Sequence, residues 1–238
     1  TSMRTGPVSW IVAAGRDTRD AWRLPAGFVP TKTEDGGTRQ NSDASSANIG
    51  ASVRVDLAED HAVTGTLTYV DAERGVPAST VERTSRYWRF SDWQALGASV
   101  AHEGRWAADL ESDASVYLRR FENTLDSYDD ATYETQDTPR SFRTTYTDWI
   151  VGGRARLRHR HVWTDWLETA QRLWLGVQYE RHNRFEAILP TDPGKAFSRT
   201  VLTMAPEVEA FWPYGLSSLV SCQVDLELPG AAEGFEAN

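Results

Sequence analysis

The sequence is poor in three things. It has a single cysteine, Cys222, which excludes a disulfide framework within the chain and any CxxC metal site. It has no run of ~18 uncharged apolar residues, which excludes a transmembrane helix. It has no basic excess either: 25 Lys plus Arg stand against 34 Asp plus Glu, a formal net charge of −9. Nucleic acid needs a basic face to replace its counterions, so no nucleic-acid partner is expected. Enzyme signatures are also missing. There is no GxSxG elbow and no HExxH, and Gly194-Lys195 is followed by Ala196 instead of the hydroxyl that a P-loop gives to Mg²⁺. Neither catalysis nor a cofactor is expected. The opening TSMRTGPVSW lacks a basic-then-apolar leader, so the expectation is a sequence that starts inside a longer protein.

What is present points elsewhere. Ten tryptophans and 40% hydrophobic residues among 238 are too apolar for a disordered chain. Mean hydropathy is nevertheless −0.51, because polar residues dilute the apolar ones almost one for one. Strands with one apolar and one wet face have that composition. Val53, Val55 and Leu57 alternate with Ser52, Arg54 and Asp56, and Val63, Leu67 and Tyr69 with Thr64, Thr66 and Thr68. Leu110, Ala114, Val116 and Leu118 alternate with Asp109, Glu111, Asp113 and Ser115. The pattern returns over 149–157, 173–179, 200–210 and 216–226, and strands near 8–16 and 87–102 bring the expected total to about nine. On the apolar side of 49–57, 63–69, 94–100, 110–118, 149–157, 173–179, 200–210 and 216–226 there is no Asp, Glu, Lys or Arg.

A soluble β-sandwich could enforce such a face by burying it against a second sheet, and a membrane barrel by pointing it at lipid. The face mixes Gly65, Gly153, Ala51, Ala98, Ala155, Ser112 and Ser218 with large residues in no layering. A close-packed interior tolerates such gaps poorly, whereas acyl chains fill them. Connections alternate as well. Tight links are expected at 58–60, 103–105 and 213–215, and a somewhat longer one at 161–170. Long polar links are expected at 17–43, 73–86, 122–144 and 183–199. Short turns at one end and long loops at the other mark an up-and-down barrel. Aromatics fall at both ends, Trp106, Trp163, Trp166, Trp212 and Tyr214 by the short turns and Tyr69, Trp88, Trp93, Trp149 and Tyr179 toward the long loops, as interfacial girdles require.

Several stretches resemble the TonB-dependent outer-membrane receptors: EDGGTRQNSD (34–43), YVDAERGVPAST (69–80), RYWRFSDW (86–93), FENTLDSYDDATYETQ (121–136) and RHNRFEA (181–187). They follow one another as consecutive outer loops and strand ends would, and the resemblance spans 8–212. It implies an all-β fold, an antiparallel up-and-down transmembrane β-barrel segment of about nine strands, forming an open, curved part of a 22-stranded barrel. It also implies the outer membrane of a Gram-negative bacterium, contact with outer-membrane lipid, and TonB-powered uptake of a small nutrient such as a siderophore or cobalamin. TonB would act through a plug. No plug-like segment or TonB box is found, nor a closing C-terminal strand with a terminal aromatic, so residues 1–238 are expected to be a partial barrel domain. A complete small barrel of eight to ten strands and a soluble sandwich are the alternatives.

Candidate sites follow. Asp109, Glu111 and Asp113 on one strand and Arg154, Arg156 and Arg158 on the next would form a lumen salt-bridge ladder. The expected register sets Asp109 against Arg158, Glu111 against Arg156 and Asp113 against Arg154. It also sets Arg119 against Asp148, Val116 against Val151 and Leu118 against Trp149. Tyr87, Trp88, Tyr128, Tyr133 and Tyr146 are the loop residues expected to contact a ligand. Clustered carboxylates at Asp126, Asp129 and Asp130, with Glu134 and Asp137 nearby, are weak candidates for calcium. His159 and His161 share a strand face with metal-like spacing but no third ligand beside them, and are expected to be solvated.

Overall fold

The computed structural model describes residues 1–81, 85–186 and 194–233. The expectations for residues 82–84, 187–193 and 234–238 lie outside the described residues. Eleven strands form one antiparallel sheet: β1 (Ser2–Thr5), β2 (Val8–Arg19), β3 (Ala44–Ala58), β4 (His61–Val76), β5 (Tyr87–Ala107), β6 (Leu110–Tyr128), β7 (Phe142–Thr164), β8 (Leu167–Glu186), β9 (Lys195–Trp212), β10 (Leu216–Ser221) and β11 (Val224–Glu233). Each strand from β1 to β10 pairs with the next in sequence, an up-and-down order, and β11 also pairs with β9. Among the described residues the first and last strands are not paired with each other, and the sheet is open. Among the described residues no helix is long and apolar enough to cross a membrane, which says nothing about spans made of strands.

The structure has two strands more than expected, and one of them has a plain local cause. The expected strand over 216–226 is split into β10 and β11 at Cys222–Gln223, yet both halves meet β9 in the same register, Val220 opposite Val208 and Val224 opposite Met204. The break faces Pro206, which has no N–H to give the ladder; only Cys222 N–H still reaches across, to the Pro206 carbonyl at 3.1 Å. The four residues of β1 are the other addition, a short edge strand on β2.

Strands also outrun their expected ends. The turn expected at Glu103-Gly104-Arg105 lies inside β5, and the chain reverses at Ala108–Asp109. The link expected over 161–170 narrows to Asp165–Trp166, because β7 and β8 stay paired as far as Thr164 and Leu167. The alternation of connections holds and sharpens: the short end joins β1–β2, β3–β4, β5–β6, β7–β8 and β9–β10, and the long segments 20–43, 77–86 and 129–141 lie at the other end.

The sheet is inside-out by the standard of a soluble domain. Ala62, Ala78 and Ala170 are the buried hydrophobic residues among those described, whereas Glu34, Asp126, Ser141, Thr144 and Glu180 are buried polar ones. One row runs Trp10, Val53, Gly65, Val100, Val116, Gly153, Val177, Leu202, Leu226 across nine strands, and its Val116 is 62% exposed. No second sheet is stacked on this face among the described residues. Where small residues sit in the row and its neighbours, the surface hollows: a trough of ≈ 930 Å³ is lined by Ala51, Gly65, Ala98, Gly152 and Gly153 among others.

Candidate functional site

The opposite face is charged, and its ion pairs run along strands and between them. Arg54 bonds Asp56 (2.9 Å) and Glu103; Arg105 lies 3.8 Å from Asp60 and 3.4 Å from Glu111. Arg172 reaches Glu207 and, at 2.7 Å, Glu209, and Arg199 bonds Glu180 (2.7 Å) and Glu227 (3.0 Å). Opposite charges directly across a strand pair contribute roughly 0.2–1 kcal/mol each.

The expected register of the Asp109–Arg158 ladder is overturned. β6 and β7 are shifted by two residues: Glu111 faces Arg158, Asp113 faces Arg156, and Ser115 faces Arg154. The ion pairs follow, Arg156–Asp113 at 2.5 Å and Arg158–Glu111 at 3.4 Å. Arg154 donates to the Ser115 hydroxyl at 3.2 Å, and Asp109 leaves the ladder for His159 at 3.3 Å. Val116 meets Gly153, Leu118 meets Val151, and Asp148 meets Phe121. A shift of two residues keeps every side chain on its own face, so the apolar and charged patterns fit both registers and charge matching alone could not separate them.

The expected ligand contacts do not form one constellation. A β-bulge at Ser91 leaves one residue of β5 unpaired, and beyond it the faces exchange. Below the bulge, odd positions such as Trp93 share the charged face; above it, even positions do. Trp88 and Tyr146 therefore share the charged face, while Tyr87 and Tyr128, paired with each other, extend the apolar one. Tyr133 packs edge-on against both, at 6.0 and 5.7 Å, and that burial pushes its phenol up to about 12. Trp93, expected in the outward girdle, instead packs on Phe90 and Phe121 at 5.1 Å each, with the Arg74 guanidinium 5.1 Å from Phe90 and 4.6 Å from Trp93. This Arg74–Phe90–Trp93–Phe121 cluster was missed in the sequence, since strict alternation hides what a bulge brings together. A planar cation over an aromatic face contributes roughly 0.5–1 kcal/mol at exposed sites, more when desolvated.

The long connections are stitched to each other. The Glu34 carboxylate, buried, accepts from Arg39 (2.6 Å) and the Gln40 N–H (2.9 Å), and Arg39 also donates to the Ala78 carbonyl at 2.7 Å. Asn41 donates to the Val76 and Trp88 carbonyls at 2.9 and 2.7 Å. Arg89 forks onto both Asp43 oxygens, at 2.9 and 2.5 Å, and its side-chain bond holds the Asp43 carboxyl below the usual carboxylate range. The packing needs Gly75: a Cβ there would lie 2.3 Å from the Asn41 carbonyl oxygen.

The calcium expectation fails on geometry. Asp126 is fully buried in an ion pair with Arg143 (2.7 Å) and accepts from Ser91 at 2.5 Å. Asp129 is spent inside its own loop on the Ser141 hydroxyl, the Asp137 N–H (2.8 Å), and the Thr138 N–H (3.1 Å) and hydroxyl (2.7 Å). Those donors hold its carboxyl well below the ordinary value. Asp130 accepts from the Thr132 hydroxyl (2.6 Å) and N–H (2.8 Å), which lower it too. Among the described residues no group of three or more His, Cys, Asp or Glu is arranged to hold a metal ion. The His159 and His161 rings stack, 6.0 Å apart, and His161 packs edge-on against Trp163 at 4.5 Å.

At the short-turn end the aromatics stand where expected. Trp106, Trp163, Trp166, Trp212 and Tyr214 are all exposed, and Trp166 stacks on Trp212 at 6.1 Å.

No family model and no curated protein matches the chain. Its fold is similar to that of two solved transporters. One is the copper transporter OprC, at 13% identity over 94% of this chain and 33% of that one, with a TM-score of 0.63. The other is the ferric citrate transporter FecA in its unliganded form, at 11% identity over 95% of this chain and 37% of that one, with a TM-score of 0.62. Such likeness shows the fold: an all-β, up-and-down wall of the kind these transporters contain. The chain spans about a third of the length of each.

Proposed function

We propose that residues 1–238 are part of the barrel wall of a TonB-dependent receptor in a Gram-negative outer membrane, serving uptake of a small nutrient. The observation that carries this reading is the uncharged row from Trp10 to Leu226, which crosses nine strands with its valines and leucines exposed and is backed by a face of ion pairs. An aqueous surface would not keep that row clear of charge, whereas mid-depth in lipid an Arg or Lys costs roughly 2–4 kcal/mol. Size agrees. On β7, Trp149 and Trp163 bracket the band, and the strand between them covers about 46 Å, or about 33 Å of depth at a tilt near 45°. That lies between the ~30 Å hydrocarbon core and the ~40–45 Å of the whole bilayer.

In this reading the charged face lines the lumen, the ion pairs on β3 to β9 are its wall, and the long connections form part of the outer mouth. The Arg74, Phe90, Trp93 and Phe121 cluster, with Trp88 and Tyr146, supplies contacts for the nutrient on the lumen side. Tyr87, Tyr128 and Tyr133 brace the loops from outside. The plug through which TonB acts, and the remaining strands, belong to the rest of the receptor.

Uptake by the source organism tests this. Deleting the gene that contains this sequence is expected to abolish uptake of one scarce nutrient among chelated metals and cobalamins, and deleting TonB is expected to do the same. Unchanged uptake of every nutrient, with the chain soluble in buffer without detergent, would overturn the proposal.

A further inference from the structure

Arginines are unevenly placed on the apolar face. Near the short turns that face holds no Lys or Arg among the described residues. Toward the long connections, the first row beyond the uncharged ones runs Leu96, Arg120, Trp149, Arg181, Ser198 across β5 to β9. Neighbouring strands lie about 4.8 Å apart, so the two arginine backbones are about 10 Å apart with the indole between them. Two long side chains that flank one ring can close on a single anion.

The row has donors to spare. Arg120 packs over the Trp149 ring, 5.5 Å from its centre, and gives one nitrogen to Glu122. Its Nε is buried and meets no acceptor, although a buried donor needs one. Arg181 is exposed; it donates to Asn183 Oδ1 at 3.1 Å and pairs with no carboxylate among the described residues. The indoles of Trp106, Trp163 and Trp212, at the other end, each bond a hydroxyl. That of Trp149 bonds no group among the described residues.

The acids nearby do not cancel this charge. Glu122 answers one of the two guanidinium groups. Asp148 and Glu180, next in sequence to Trp149 and Arg181, point to the charged face, where they meet His182 at 3.0 Å and Arg199 at 2.7 Å. Asp71 and Asp92 stand on β4 and β5, three or more strands from Arg181, or about 14 Å and beyond. Higher on the same face Arg89 and Arg143 are taken by Asp43 and Asp126, and Arg16 lies far off on β2. Arg120 and Arg181 are the pair left at the level of the indole.

We propose that Arg120 and Arg181, astride Trp149, bind the anionic phosphate of a lipid headgroup on the long-connection side of the membrane. The inference rests on the membrane reading of the apolar face and adds a ligand to it. Trp149 marks the level at which the uncharged rows end, and indoles sit at the headgroup level of a bilayer. A guanidinium meets a phosphate through two parallel N–H bonds, which an ammonium cannot offer. Two such forks and an indole N–H match its oxygens, and the acyl chains of the same lipid run down the uncharged rows past Val151 and Val177. A free phosphate ion would have only the first of these attachments.

Lipid retention by the 238-residue chain tests the proposal. The chain is reconstituted in phosphatidylcholine vesicles containing one-tenth phosphatidic acid and extracted into detergent, and its bound lipid is measured by mass spectrometry. The ratio of phosphatidic acid to phosphatidylcholine is expected to rise about tenfold over that of the vesicles. Arg181→Gln, which strands no carboxylate, is expected to bring the ratio most of the way back, and Arg120→Gln with Arg181→Gln all the way. Arg181→Lys is expected to keep part of the excess, and Arg154→Gln, on the charged face, all of it. Inorganic phosphate in the wash is expected to displace little; full displacement would overturn the lipid as the occupant. A ratio equal to that of the vesicles, or an excess that survives Arg181→Gln and the double substitution, would overturn the headgroup proposal and leave the membrane reading standing. A chain that neither inserts nor retains either lipid would overturn both.

Discussion

The indole of Trp163 donates its N–H to the hydroxyl of Thr169, 3.0 Å away, across the Asp165–Trp166 turn. The same bond recurs from Trp106 to Ser112 at 2.8 Å and from Trp212 to Ser218 at 2.9 Å, each time six residues on and across a short turn. Three of the five short turns thus carry one clamp, which fixes a tryptophan at the strand end and satisfies its only donor. A buried or interfacial indole N–H needs such a partner.

Removing one clamp is expected to cost about 1 kcal/mol, the net worth of a hydrogen bond. Thr169→Val and Trp163→Phe are expected to destabilise the chain in vesicles by similar amounts, and the double variant by less than their sum. Urea unfolding followed by fluorescence measures this; strictly additive losses would show that the bond contributes nothing.

The two faces are expected to respond oppositely to charge. Val100→Arg, mid-row on the apolar side, should cost roughly 2–4 kcal/mol in a bilayer. Ala101→Arg points to the face that already holds Arg54 and Arg154 and should cost well under half of that. Equal losses in urea unfolding from vesicles would contradict the assignment of the two faces.

The β6–β7 register is open to a direct check. With Cys222→Ser as background, Asp113→Cys with Arg156→Cys is expected to cross-link under mild oxidation, since these residues are opposite each other. Asp113→Cys with Arg154→Cys is expected to remain reduced. Mobility on non-reducing gels separates the two outcomes.

Asp129 organises the 129–141 loop as a carboxylate, and its folded pKa lies below the unfolded one. A depressed carboxyl contributes stability that is fully present above the unfolded value near 3.9 and is lost as pH falls through the folded value. Protection of the Asp137 and Thr138 amides from exchange is therefore expected to persist from neutral pH down to about pH 4. It is expected to fade only in stronger acid. In Asp129→Asn protection should already be reduced at pH 7, because the amide gives up the charge that its donors converge on.

Architecture was legible because period-two patterning survives dilution by polar residues: Val53, Gly65, Val100 and Val116 declare one face whatever their neighbours. The alternation of short and long links was equally visible. Turn positions were less so, since Glu103-Gly104-Arg105 has turn composition yet stays in β5, its Gly104 leaving room for the His61 and His102 rings instead of making a reversal. The ladder residues were found but misaligned by two, for acids and arginines spaced two apart match equally well in several registers. Residue type and loop position cannot separate Trp88 from Tyr87, which the bulge at Ser91 places on opposite faces. The meeting of Asn41 and Asp43 with Arg89 is not legible, because it joins two segments more than forty residues apart.

Ser91, the extra residue in β5, has an effect out of proportion to its size. Every side chain between it and the strand tip shows the side it does because of that one insertion. Removing it would present Phe90 and Trp88 on the apolar face and Arg89 and Tyr87 on the charged one, with no change in any of the four. What either face displays near a rim can therefore be rewritten by the gain or loss of a single codon, a shorter route than replacing that stretch residue by residue.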